Sequence, residues 1–162
     1  MLNRGRQYGW VAALALLGWL APASQAAIGV TATGGWTLTL NSANLVAGAG
    51  SDLTGSYQSA ANAALLGVTG AGGSASWHIS VHRADTLWNA ALTLSLQRTG
   101  NGSGGTVSGG TSYQSIGLVD TTFFSGTSNV SSIPVQFQLA GLSVKVPVNN
   151  YSTTVTFTVT SP

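Results

Sequence analysis

Two histidines four residues apart, His78 and His82, come nearest in type and spacing to a metal site. On a helix, the i, i+4 step stacks two imidazoles on one face, where they can share an ion. The surrounding residues read differently: Trp77, Ile79 and Val81 alternate with His78, Ser80 and His82, which is the period of a strand. Four residues of strand span ~13 Å, too far for two ligands of one ion. The alternation instead predicts two solvated imidazoles on the outer face of a sheet, opposite the apolar trio.

Carboxylate chemistry has as little to draw on. Asp52, Asp85 and Asp120 are the only acids, each alone in sequence. Neither a paired general acid and base nor a calcium loop with several acidic ligands is written into the chain. No Gly-x-Ser-x-Gly elbow frames a serine. Cysteine is absent, which removes thiol catalysis and thiolate-bound metal. Gly102-Ser103-Gly104-Gly105 lacks the lysine and the following helix of a phosphate cradle, and reads as part of a flexible hairpin loop spanning Gly100 to Gly110. The sequence therefore predicts a protein that is not an enzyme, with no catalytic residue, no cofactor and no metal.

The N-terminus explains where such a protein works. Arg4 and Arg6 precede the apolar run Trp10 to Leu20, and Pro22 and Ala23-Ser24-Gln25-Ala26 follow it, in the order of a secretory signal peptide with cleavage after Ala26. The run is short of the ~20 residues that span a bilayer, so no integral membrane segment is expected after cleavage. Without residues 1–26 the basic residues are Arg83, Arg98 and Lys145, which balance the three aspartates. A neutral chain without clustered Lys or Arg is not built to neutralise phosphates, so nucleic acid is not an expected partner. The expected location is secreted or at the cell surface. The sequons at Asn101, Asn129 and Asn150 matter only in a secretory pathway that glycosylates them.

Low charge and abundant Gly, Ser and Thr would suit a disordered chain, but aromatic and β-branched residues recur at regular spacing. Period-two alternation appears at Trp36-Leu38-Leu40, Trp77-Ile79-Val81, Trp88 to Leu96, Val135-Phe137-Leu139, Leu142-Val144-Val146 and Val155-Phe157-Val159. Thr and Ser fill many outward positions, where Thr fits the pleat and keeps its hydroxyl wet. Ala140-Gly141 reads as a two-residue hairpin turn. Tyr113 to Phe124 holds a further strand or two, and Ala60 to Leu66 reads as a helical turn or a short strand. In-phase Trp36, Trp77 and Trp88 are expected in the core rather than on a sugar-stacking surface. The predicted fold is all-β, an antiparallel immunoglobulin-like β-sandwich over residues 36–162, preceded by an extension at 27–35 and the signal peptide at 1–26.

The closing segment Tyr151 to Thr160, preceded by Pro147 and Asn149-Asn150, resembles the last strand of secreted bacterial pilins and spore-coat-U-like subunits. The resemblance implies an incomplete immunoglobulin-like fold completed by a strand from a neighbouring subunit, though those families often carry cysteines and this chain has none. Independently of it, Ala27 to Thr33 sets Ile28, Val30 and Ala32 on one side, and Gly34-Gly35 follows. That segment reads either as a donor strand on a hinge or as the first strand of its own sandwich. The expectation is an extracellular structural subunit of a fibre, pilus or surface layer that self-associates into a homo-oligomer or filament, with or without an assembly factor. Its assembly residues would be Ile28, Val30, Ala32, Val155, Phe157 and Val159. The alternative is a monomeric module that binds carbohydrate or a host surface through the segment Gly100 to Tyr113.

Overall fold

A computed structural model describes residues 27–162, so the signal-peptide reading of 1–26 lies outside the described residues. The chain runs through β1 (Gly29–Gly34), β2 (Ser56–Gln58), β3 (Ala64–Thr69), β4 (Ser76–Leu87), β5 (Thr93–Arg98), β6 (Ser103–Ser108), β7 (Gln114–Ser115), β8 (Thr121–Ala140) and β9 (Ser152–Thr160). Every pairing between these strands is antiparallel. Among the described residues, the one helical element is a 3-10 turn at Ser42–Asn44. The fold is all-β.

The 20-residue β8 is its spine. Residues 125–127 pair with β4 on one edge and β6 on the other, while residues 135–140 have β5 on one edge and β3, then β2, on the other. A strand serves two layers in this way only if it bends. β8 bends where Ser128 and Ser132 take the left-handed conformation, with φ of 62° and 56°. One layer then reads β6-β8-β4-β9 and the other β7-β5-β8-β3-β1. Strands β1 and β9, the outer members of the path β1-β3-β8-β4-β9, come into contact without pairing, so the sheet nearly closes on itself.

The core follows from alternation. Trp77, Ile79 and Val81 of β4, Ala64, Leu66 and Val68 of β3, and Leu94 and Leu96 of β5 all point inward and are buried. Each fully buried large side chain contributes roughly 1.5–3 kcal/mol. Phe123 and Phe124 are both buried although adjacent, because a bulge opposite Ile79 and Ser80 inserts an extra residue. Of the three tryptophans expected in the core, Trp77 is fully buried, and Trp36 and Trp88 are partly buried against it.

Several sequence expectations are corrected. Trp36-Leu38-Leu40 forms no strand: the last bond along the β1 edge runs from Gly35 N–H to the Ala63 carbonyl, and the chain then leaves the sheet. The run Trp88 to Leu96 is interrupted, since the Asn89 side chain accepts from Ala91 N–H and its carbonyl from Leu92 N–H, turning the chain before β5. The alternating Leu142-Val144-Val146 is a loop, not the second arm of a hairpin, because its N–H groups go to three unrelated acceptors: Leu142 to the Gly55 carbonyl, Val144 to Asp52 and Val146 to the Ser143 carbonyl. Ala60 to Leu66 resolves into a turn, closed by the Ala63 N–H on the Ala60 carbonyl, and the start of β3, and Tyr113 to Phe124 into β7 and the start of β8.

The largest correction concerns Gly100 to Gly110. Six of these residues form β6, paired to β8 from Ser103↔Ser131 to Ser108↔Ser125. Its glycines serve close approach: a Cβ on Gly104 would lie 2.4 Å from the Asn129 carbonyl oxygen, and one on Gly105 would lie 1.8 Å from that of Thr127.

Candidate functional site

The histidines, arginines and aspartates find their partners in separate places. His78 and His82 share the outer face of β4, as expected, but they are half-buried and bonded rather than merely solvated. His78 Nε2 meets Thr160 Oγ1 at 2.7 Å on β9, and His82 Nδ1 meets Asp120 Oδ1 at 2.8 Å. Arg83 forms an ion pair with Asp85, donates from Nε to the Ile116 carbonyl at 3.1 Å, and lies 4.8 Å from the centre of the Trp88 ring. Asp85 and Asp120 thus have different partners. Among the described residues, no cluster of three or more His, Cys, Asp or Glu could hold a metal ion.

Asp52 ties two loops together. Its carboxylate accepts from Val144 N–H at 2.8 Å, Leu53 N–H at 2.8 Å and Ser143 Oγ at 3.0 Å. The Val144 bond foremost, then those of Leu53 and Ser143 and the nearby Lys145 charge, hold its pKa below the usual carboxylate value. A depressed carboxylate stabilises the fold above its unfolded pKa, and that contribution is lost as pH falls through the folded value. The Val144 amide should therefore be protected from hydrogen exchange at pH 5 and should lose protection below about pH 4, the carboxylate range, while the β4 amides stay protected. In Asp52→Asn that pH dependence should disappear.

The loop that the binding-module reading would use is largely absorbed into β6. Tyr113, at its end, buries its hydroxyl with no partner among the described residues, and burial pushes its pKa up. A shallow depression of about 230 Å³ lies elsewhere, on β1, β3 and β8, lined by Thr31, Thr33, Leu65, Leu66, Gly67, Ser131 and Ser132. Of the sequon asparagines, Asn101 bonds Arg98, Asn129 accepts from Ala71 N–H, and Asn150 sits exposed in the loop before β9.

The remaining candidates lie on or beside two of the sheet's edge strands, β1 and β9. Among the described residues, β1 pairs with β3 alone, from Gly29↔Thr69 to Gly34↔Ala64, and β9 pairs with β4 alone. After four antiparallel steps the two edge strands run in the same sense. Ile28, Val30, Val155, Phe157 and Val159 all pack against the core but stay only partly buried, whereas Ala32 is exposed. Five of the six residues named from the sequence are therefore partly buried, on or beside two strands that touch each other. Edges of this kind carry unsatisfied main-chain donors and acceptors, which extended segments of other chains can pair with.

No protein-family model, curated protein or solved structure matches this chain.

Proposed function

We propose that the mature chain is a non-enzymatic, secreted structural subunit of a fibre, pilus or surface layer, immunoglobulin-like in type, in which β1 is exchanged between neighbours. The observation that carries this reading is the seam: two unpaired edges in contact, both lined with half-buried apolar side chains. β1 is the part of the sheet most easily exchanged. It is six residues long, bonds to one strand among the described residues, and ends in Gly34, followed by Gly35. Placing the next subunit's β1 on β3 recreates the same contacts, so the exchange has little enthalpic cost, and head-to-tail repetition extends it into a filament. Outward Thr and Ser keep the surface polar without charge.

Negative-stain electron microscopy of the protein beginning at Ala27 should show filaments. A tenfold excess of a synthetic peptide spanning 27–35 should shorten them by occupying β3 edges, and a chain beginning at Trp36 should form none. Monodisperse monomers from the Ala27 form at high concentration, or filaments from the Trp36 form, would overturn the reading. If the monomers also lose tryptophan fluorescence on adding a glycan, the carbohydrate-binding module takes its place.

A further inference from the structure

Residues 154–160 read Thr-Val-Thr-Phe-Thr-Val-Thr, the same in both directions about Phe157. This run lies in β9, whose one edge bonds to β4 and whose other edge, among the described residues, pairs with nothing. The core thins in a single step across it: Ile79 and Val81 are 0% exposed, while Val159 and Phe157, their partners in register, remain partly buried. The strand carries neither charge nor proline. Those are the devices that usually keep an exposed edge from pairing with another chain.

We propose that this edge is a dimer interface, covered by β9 of a second copy running antiparallel across a two-fold axis at Phe157. Under that symmetry residue 157 faces itself, 155 faces 159, and the pairs 156/158 and 154/160 face each other. A palindromic run makes every facing pair alike: one Phe–Phe pair, Val–Val pairs and Thr–Thr pairs, all favourable across strands. Seven facing positions give about six to eight main-chain hydrogen bonds. Slipping by one residue would set the second copy's apolar row on the threonine face, so the register is selected by burial. With no charge on the strand, no like-charge repulsion opposes self-pairing.

A second β9 on this edge parts the contact between β1 and β9 but leaves the bonds between β1 and β3 in place, so it is separable from strand exchange. The sequence has no cysteine, so introduced thiols are the only ones present. Mature Thr156→Cys and Thr158→Cys chains, mixed and mildly oxidised, should form covalent dimers on a denaturing gel at least tenfold above a Ser74→Cys control. Peptide mass spectrometry should find the 156–158 cross-link. Thr156→Cys alone should cross-link several-fold less, because its thiols lie two residues out of register. A mixture that cross-links no better than the control, or no better than either single variant, would overturn the interface. Because dimers are scored after denaturation, filament formation does not affect the readout. Cross-linking without filaments keeps this interface and rejects β1 exchange, and filaments without cross-linking do the reverse.

Discussion

Gly126→Ala should destabilise the fold by ~3 kcal/mol, the upper range for forcing a methyl group into a packed core. Gly126 faces Trp77 across the β4–β8 ladder. A Cβ there would lie 2.4 Å from the Trp77 Cη2 and Cζ2 atoms and 2.4 Å from the Thr106 carbonyl oxygen on β6. The indole lies over the one residue of β8 that offers it no side chain, and its Nε1–H donates to the Ser128 carbonyl at 2.7 Å. Ser128 is one of the two positions where β8 bends between layers. Trp77 therefore fills the core and holds the bend in a single contact.

The same geometry predicts how the effect is divided. Trp77→Phe removes the two ring atoms nearest the new methyl, but it also loses the bond to Ser128. On its own it should cost a few kcal/mol, in the range of large-to-small core changes. Adding Gly126→Ala to it should then cost clearly less than in the parent, since only the clash with Thr106 remains. Urea unfolding of the four proteins should give a coupling of at least ~1 kcal/mol, the scale seen between residues in contact. Additivity within the error of the cycle would mean that the methyl is not accommodated against the indole, and the account of the bend would fail.

Trp77-Ile79-Val81 and Val155-Phe157-Val159 were legible in the sequence because each strand has one face against the core, and burial writes that face as a period of two. β6 was not, because what makes it a strand is the nearness of the Asn129 and Thr127 carbonyls, and the residues that permit such nearness are glycines, which carry no periodicity. The length of β8 was hidden for the opposite reason. Its bulge makes Phe123 and Phe124 adjacent core residues, and its second bend sets Val130 and Ile133 three apart, so the alternation breaks twice inside one strand. Leu142-Val144-Val146 has the right pattern and the wrong outcome, since a carboxylate 92 residues away accepts the Val144 N–H. The inward face of Val155, Phe157 and Val159 could be read from their alternation. That the first and last strands meet along one seam could not, because it depends on how the intervening strands stack.

Arg98→Met should be the most damaging single change outside the aromatic core, lowering stability by ~3 kcal/mol, the scale of leaving several buried polar groups without partners. Arg98 ends β5, is 5% exposed, and belongs to neither of the two ion pairs found among the described residues. Its fork holds backbone instead: Nε donates to the Gly109 carbonyl at 3.0 Å, one terminal nitrogen donates to the Gly100 carbonyl at 2.8 Å, and the same nitrogen bonds the Asn101 side chain. The guanidinium carbon lies 5.9 Å from the centre of the Phe124 ring. Burial pulls its pKa down, yet a guanidinium stays protonated in a folded protein, so the cation is kept and must be satisfied by these oxygens. They lie at the two ends of the Gly100–Gly110 segment, so a single side chain pins both ends of a strand whose own apolar side chain, Val107, is only partly buried. Arg98→Lys keeps the charge but not the planar fork that reaches both ends, and should recover less than half of the loss. In either variant, hydrogen exchange of β6 amides should accelerate well before that of β3. Full rescue by lysine, or uniform loss of protection across the sheet, would show that the charge alone or generic packing, and not the two-ended clamp, keeps β6 on β8.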